Sequence, residues 1–197
     1  MATSGQHWEP RIVRGELGNS SARRSGQPPA SDRIVQLRTE LSATAWLTHA
    51  LDTVPDPAMI LNRDREIVYA NQPAILFAGT TDWRDVTGLQ PGELFNCRNV
   101  RPGQGRCGTG PACKVCGAFR SIIEALEGRS ASREWRILRL RPGGEEPLNL
   151  RVSVTPFDWR SERLVLLFAG DGRSTQRRLA LERLFLRGLK IFPPTRH

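Results

Sequence analysis

Two neighbouring segments in the second half of the chain constrain the fold more than any others. Residues 148–155 read Leu-Asn-Leu-Arg-Val-Ser-Val-Thr, a clean alternation that puts Leu148, Leu150, Val152 and Val154 on one face of a strand. Shortly after, residues 163–169 form a run, RLVLLFA, with six unbroken apolar positions after Arg163. That is the pattern of a strand buried at the centre of a sheet. A central strand needs neighbours and a cover, and the rest of the chain supplies both.

The cover begins after a Ser-, Gly-, Pro-, Gln- and Arg-rich stretch over residues 1–31, which has no apolar period and is expected to be a disordered tail. Ser31 or Asp32 can cap a flanking helix over 32–53, with Ile34, Leu37, Leu41, Ala45, Leu47 and Leu51 as its apolar stripe. Val54-Pro55-Asp56-Pro57 stops it, because neither proline supplies a helical N–H and each restricts the residue before it. The period then changes. Residues 58–61 read as a strand, 62–65 as a turn and 66–70 as the returning strand. Asn71 is suited to cap a short helix over 72–78, ended by Gly79. Helical spacing returns at Phe119, Ile122, Ile123 and Leu126, within 118–126, and Gly128 ends it. A further strand falls at 134–140, and a basic helix at 174–189 carries Leu181, Leu184 and Phe185 on one side. The order predicts an α+β fold: a five-stranded antiparallel sheet with helices on one face, flanked by N- and C-terminal helices. The organisation is a tail over 1–31, a flanking helix over 32–53, a folded domain over 54–171 with a cysteine loop over 97–117, and a basic exit helix and tail over 172–197.

The formal net charge is +9, which invites a nucleic-acid reading. Divided by segment, residues 1–33 carry five basic and three acidic residues, 34–170 carry seventeen and fifteen, and 171–197 carry seven and two. The excess sits mainly in the tails, and Trp8, Trp46, Trp83, Trp135 and Trp159 are scattered rather than interleaved with it. Nucleic acid is therefore not the expected partner. No apolar run approaches the roughly 20 residues of a membrane span, and the N-terminus lacks a secretory core, so the expectation is a cytoplasmic protein with no membrane partner.

All four cysteines, Cys97, Cys107, Cys113 and Cys116, fall within twenty residues, spaced C-x9-C-x5-C-x2-C. A C-x2-C pair puts two sulfurs on one side of a tight turn, close enough to share an ion. Gly105, Gly108, Gly110 and Gly117 let the loop fold back to bring Cys97 and Cys107 to the same centre, and let backbone N–H groups approach sulfur. Cys116 precedes the helix over 118–126, whose dipole favours a thiolate, and Arg98, Arg101, Arg106, Lys114 and Arg120 act in the same sense. Four thiolates suit tetrahedral zinc or an iron–sulfur cluster, and the spacing matches neither a ferredoxin run nor paired zinc knuckles, so that choice stays open. The alternatives are a thiol–disulfide switch without metal, and a four-cysteine zinc module that binds nucleic acid.

Residues 51–79, LDTVPDPAMILNRDREIVYANQPAILFAG, resemble the opening of a PAS sensor domain, and REWRILRL, LNLRVSVTPF and RLVLLFAGDGRSTQRR resemble its last three strands and exit. VTGLQPGELFNC and CGTGPACKVCGAFRSIIEALEG resemble a cysteine-rich subset of these domains at the front of bacterial sensor histidine kinases. The resemblance implies that the loop over 97–117 replaces the segment between the middle helices and faces the PAS pocket. It also implies that the cysteines sense redox state, oxygen or a metal. QRRLALERLF resembles the approach to a kinase dimerisation helix, yet Arg187-Gly188 stand where the His-acid pair is expected and Pro193-Pro194 follow. His197 is outside any helix and is not read as a phospho-acceptor. The expectation is a sensor truncated relative to a kinase, homodimeric through its flanking helices, with a separate signalling protein as output. Three histidines give no convincing Ser-His-acid order, and GQGRCGTG lacks the Lys of a phosphate loop, so no enzyme is expected.

Overall fold

A computed structural model of the chain describes residues 31–100 and 106–170. Residues 1–30 of the tail expected over 1–31, the basic helix expected over 174–189 and the Arg187-Gly188 position lie outside the described residues. No helix among the described residues is long and apolar enough to cross a membrane.

The expected flanking helix forms in two pieces. In α1, Asp32–Ser42, the Ser31 hydroxyl accepts from the Ile34 N–H, and Ile34, Leu37 and Leu41 are buried. α2, Ala45–Asp52, buries Leu47 and Leu51. The break has a geometric cause. In one straight helix, at 3.6 residues per turn, Leu47 would point about 240° round from Leu41. Bending at Ala43 and Thr44 brings both leucines to the same sheet face. The Thr44 hydroxyl, bonded back to the Glu40 carbonyl at 3.3 Å, marks the bend.

Five strands follow the expected plan: β1 Ala58–Leu61, β2 Ile67–Ala70, β3 Ala131–Arg141, β4 Gly144–Trp159 and β5 Glu162–Gly170. They form one antiparallel sheet in the order β2-β1-β5-β4-β3. β5 is the central strand, as its apolar run requires. β3 and β4 are longer than the sequence pattern suggested and pair along eleven positions, from Ala131↔Val154 to Arg141↔Gly144.

Among the described residues, three α-helices, α3 Gln72–Phe77, α4 Pro91–Leu94 and α5 Gly117–Leu126, lie between β2 and β3 in the chain. They bury Ala74, Ile75, Leu94, Ala118, Ile122 and Ala125 against Met59, Val152, Val154, Val165 and Leu167. The opposite face, with Ile60, Val68, Leu164, Leu166 and Phe168, receives Ile34, Leu37, Leu41, Leu47 and Leu51 of α1 and α2. The alternation of β5 thus serves two cores. The middle helices take one face and the N-terminal flank takes the other.

Two arginines brace this arrangement. Arg139 of β3 is buried, lies 4.2 Å over the Phe77 ring and donates to the Phe77 carbonyl at the end of α3. A cation is favoured at a helix C-terminus, although desolvation still pulls the guanidinium down to about 10. Arg38 of α1 stacks 4.0 Å from the Trp83 centroid and 5.3 Å from that of Tyr69. Because Trp83 packs against the middle-helix core, Arg38 ties the outer flank to the inner cover around the β2 edge. A half-desolvated cation–π contact is worth about 1–2 kcal/mol. Arg38→Ala is therefore expected to lower unfolding free energy by about that amount in urea titrations, with an unchanged transition slope. No measurable loss would mean that the stack does not hold α1 in place.

Candidate cysteine centre

The four cysteines are placed by three different devices. Cys97 follows α4 through Asn96, whose positive φ of 53° reverses the chain, a conformation that Asn tolerates better than most residues. The Asn96 side chain donates to Leu140 O at 2.6 Å, the Cys97 N–H donates to Gly92 O at 2.8 Å, and Cys97 makes an isolated antiparallel bridge to Arg139. Cys97 is thereby stitched between α4 and the free edge of β3, and it is buried.

Cys107 is positioned by its neighbour. Arg106 donates to Glu66 at 2.8 Å, to Glu93 at 3.3 Å and to Gly88 O at 2.9 Å, which pins the start of this segment to β2 and α4. The Glu93 carboxylate also accepts from the Gln90 N–H at 2.7 Å, closing the N-terminus of α4.

Cys113 lies in a 3-10 turn, Pro111–Val115, and Cys116 caps α5. The Cys116 N–H donates to Cys113 O at 3.1 Å, the tight turn expected of C-x2-C. Cys113 is buried, Cys116 is half-buried, and Val115 between them is 80% exposed. All four cysteines are free thiols.

The electrostatics of two of these thiols differ from the expectation. Burial pushes the Cys97 thiol up, and the neighbouring Cys116 and Cys113 push it further, against hydrogen bonds from the Asn99 backbone and side chain. Cys107 is pushed up to about 12, chiefly by burial, with repulsion from Cys113, Cys116 and Cys97 adding and the Gly92 backbone opposing. The nearby arginines do not offset this, since Arg106 is held by Glu66 and Glu93, and Arg98 pairs with Glu145 at 3.0 Å. Lys114 and Arg120 are exposed, and Arg101 lies outside the described residues.

Cys97 and Cys107 each lie near enough to Cys113 and Cys116 for charge on those sulfurs to act on them. Four cysteine sulfurs are, as a donor set, of the kind that a soft metal ion takes. Among the described residues, no group of three or more His, Cys, Asp or Glu side chains is gathered closely enough to hold an ion as it stands. A metal would have to draw the sulfurs together. A Cβ added to Gly92 would lie 2.7 Å from the Cys107 sulfur, and Gly92 lies outside the cysteine loop and carries no signal in the sequence spacing.

Residues 45–109 match the family model described as PAS domain. No curated protein matches the chain. Among solved structures, the chain is similar to a PAS domain from a two-component sensor histidine kinase at 10% identity and TM-score 0.43, covering 66% of this chain and 96% of that one. It is similar to the PAS domain of nitrogen regulation protein NR(II) from Vibrio parahaemolyticus at 17% identity and TM-score 0.42, covering 62% and 94%. A PAS domain from Colwellia psychrerythraea gives 16% identity and TM-score 0.44, covering 66% and 96%. The strand order and the match over residues 45–109 give an α+β fold of PAS type, a five-stranded antiparallel sheet with helices.

Proposed function

We propose that this chain is a PAS sensor whose signal is read by the centre formed from Cys97, Cys107, Cys113 and Cys116. What supports the reading is that four free thiols are placed in the helical cover by three structural devices, with Cys113 and Cys116 in one tight turn. Cys97 is fixed to β3, Cys107 to β2 and α4, and Cys116 caps α5. Any event that binds or links these sulfurs pulls on three elements packed against the sheet. The sensed quantity is redox state, oxygen or metal availability, and the centre is zinc or an iron–sulfur cluster.

The change would reach β5 and leave through the segment after Gly170, toward a separate signalling protein. A homodimer through the flanking helices fits this route, and a cytoplasmic setting fits thiols kept reduced. Nucleic acid is not the proposed partner. Among the described residues, surface arginines pair with acids, for example Arg133 with Glu124 at 2.8 Å, Arg141 with Glu146 at 2.6 Å and Arg163 with Asp158 at 2.5 Å.

One observation favours a second reading, the metal-free thiol switch. The sulfurs do not already surround a common point. Two thiols could instead join as a disulfide, giving up two protons and two electrons to an oxidant of the peroxide class.

Elemental analysis with absorption spectroscopy on protein purified without oxygen separates these readings. Near-stoichiometric iron with sulfide, or zinc without a visible band, is the expected result. Cys113→Ser and Cys116→Ser should each lose that metal. Metal retained in full by both variants would overturn the four-cysteine centre. Absence of metal, together with a peroxide-induced disulfide, would leave the switch.

A further inference from the structure

Cys113 and Cys116 are held differently from the other two cysteines. The Cys116 N–H donates to the Cys113 carbonyl at 3.1 Å, so the two residues are the ends of a hydrogen-bonded turn. Such a turn keeps its end Cα atoms within about 7 Å, and a disulfide spans Cα separations of roughly 4.4–6.8 Å. Residues three apart on a 3-10 turn also eclipse one another, and Pro111–Val115 is such a turn, with Cys116 as its C-cap. The backbone therefore already has the form that a Cys113–Cys116 bond requires. Cys97 and Cys107 are anchored outside the turn, Cys97 by its bridge to Arg139 and Cys107 by the contacts of Arg106 to Glu66, Glu93 and Gly88. A bond from the turn to either of them would have to join separately anchored segments, whereas the turn is already closed. The turn also meets solvent. Cys113 is buried, but Cys116 is half-buried and Val115 between them is 80% exposed.

We propose that Cys113 and Cys116 are the redox pair of the centre, with Cys116 as the thiol that attacks an oxidant of the peroxide class and Cys113 as the thiol that resolves it. This rests on the cysteine-centre reading above and names the pair that regulates it. The Cys116 sulfur attacks one peroxide oxygen and becomes a sulfenic acid, and the other oxygen leaves with the thiol proton as water. The Cys113 sulfur then displaces the sulfenic hydroxyl, which leaves with the second thiol proton as water, and the S–S bond forms. Two thiols and one peroxide thus give one disulfide and two waters, and two electrons pass from sulfur to oxygen. The bond withdraws two of the four sulfurs from any metal. It also acts where α5 meets the sheet, because Cys116 caps α5 and a Cβ on the next residue, Gly117, would stand 1.8 Å from the Glu134 carbonyl oxygen of β3.

Bond mapping on the full chain tests this. Reduced, metal-free protein is treated with equimolar hydrogen peroxide and digested for mass spectrometry. Cleavage after Arg106, Lys114 and Arg120 leaves Cys116 alone on residues 115–120, and fragmentation of residues 107–114 separates Cys107 from Cys113. The expected product is chiefly the Cys113–Cys116 bond, reversed by dithiothreitol. In Cys113→Ser, dimedone should trap a sulfenic acid on Cys116 in about fivefold or greater yield than on Cys113 in Cys116→Ser.

No bond, or a bond made chiefly by Cys97 or Cys107, overturns the proposal. A dimedone adduct that favours Cys113 overturns the order of attack. If a serine variant does not fold, the bond mapped in the parent decides. Cobalt(II) titration of the same reduced parent, read by its sulfur charge-transfer absorption, keeps this proposal apart from the metal reading. Cobalt bound without the bond retains the centre and removes the pair, and the bond without cobalt retains the pair and removes the metal.

Discussion

Asn71→Ala is expected to cost about 3–5 kcal/mol of unfolding free energy, more than a helix cap alone accounts for. Asn71 is fully buried, and its side chain is saturated. The Oδ1 atom accepts from Ala58 N at 2.9 Å and from Ala74 N at 3.0 Å, so it starts both β1 and α3. The Nδ2 group donates to Leu51 O and Asp56 O, both at 3.0 Å, and to Val54 O at 3.4 Å, closing the end of α2 and the proline turn. Alanine leaves two buried N–H groups with no acceptor and several carbonyls short of a donor. Each orphaned buried group costs about 1–3 kcal/mol. Urea titration should show the midpoint falling steeply with little change in slope, whereas a loss near 1 kcal/mol would reduce Asn71 to an ordinary cap. Asn71→Asp tests the donor half, because its carboxylate would face three carbonyls. The folded state should then favour the protonated form, so the deficit relative to the parent should shrink as pH falls and grow as pH rises through the carboxylate range.

Asn71 also shows where sequence reading stops. Its role as the cap of α3 was legible, because the preference is local and the apolar pattern begins three residues later. Its hold on Leu51, Val54 and Asp56 was not, since those partners lie fifteen to twenty residues away and no periodicity encodes them. The same division runs through the fold. β1, β5 and the Asn71 cap followed from alternation, apolar runs and cap chemistry. The split between α1 and α2 did not, because the stripe from Ile34 to Leu51 is only approximately helical and the sheet decides which parts may share a face. α4 was missed as well. Four residues, Pro91–Leu94, are too few for a period, and only the spacing of Gln90 and Glu93 hinted at its capping box.

In the candidate site, cysteine spacing indicated a C-x2-C turn, and the Cys116 N–H bond to Cys113 O forms one. Spacing alone could not show that burial would outweigh the surrounding arginines at Cys97 and Cys107. The arginines bind carboxylates from distant segments instead, Arg106 to Glu66 and Glu93 and Arg98 to Glu145. Charge counted along a sequence carries no information about which charges are already paired.

Gly117→Ala should have the second large effect, and it links the fold to the cysteine centre. A Cβ on Gly117 would stand 1.8 Å from the Glu134 carbonyl oxygen and 2.9 Å from its carbon. That carbonyl belongs to β3, where Glu134 is paired with Arg151, so it cannot yield as a flexible side chain would. The helix must move instead. α5 carries Ala118, Ile122 and Ala125 into the core and holds Cys116 at its first turn, so the shift opens packing and displaces a sulfur together. Overpacking against backbone costs about 3 kcal/mol, and that loss is the expected result in urea. Where the variant is still folded, in the cold and without denaturant, Cys116 should react with iodoacetamide at a rate different from that of the parent while Cys97 keeps its own rate. Gly143→Ala is the matched control, since nothing lies within 4 Å of the added atom, and it should leave both stability and thiol reactivity unchanged. Parent-like stability in Gly117→Ala would mean that α5 tolerates a longer reach to β3, and the mechanical route from Cys116 into the sheet would then be lost.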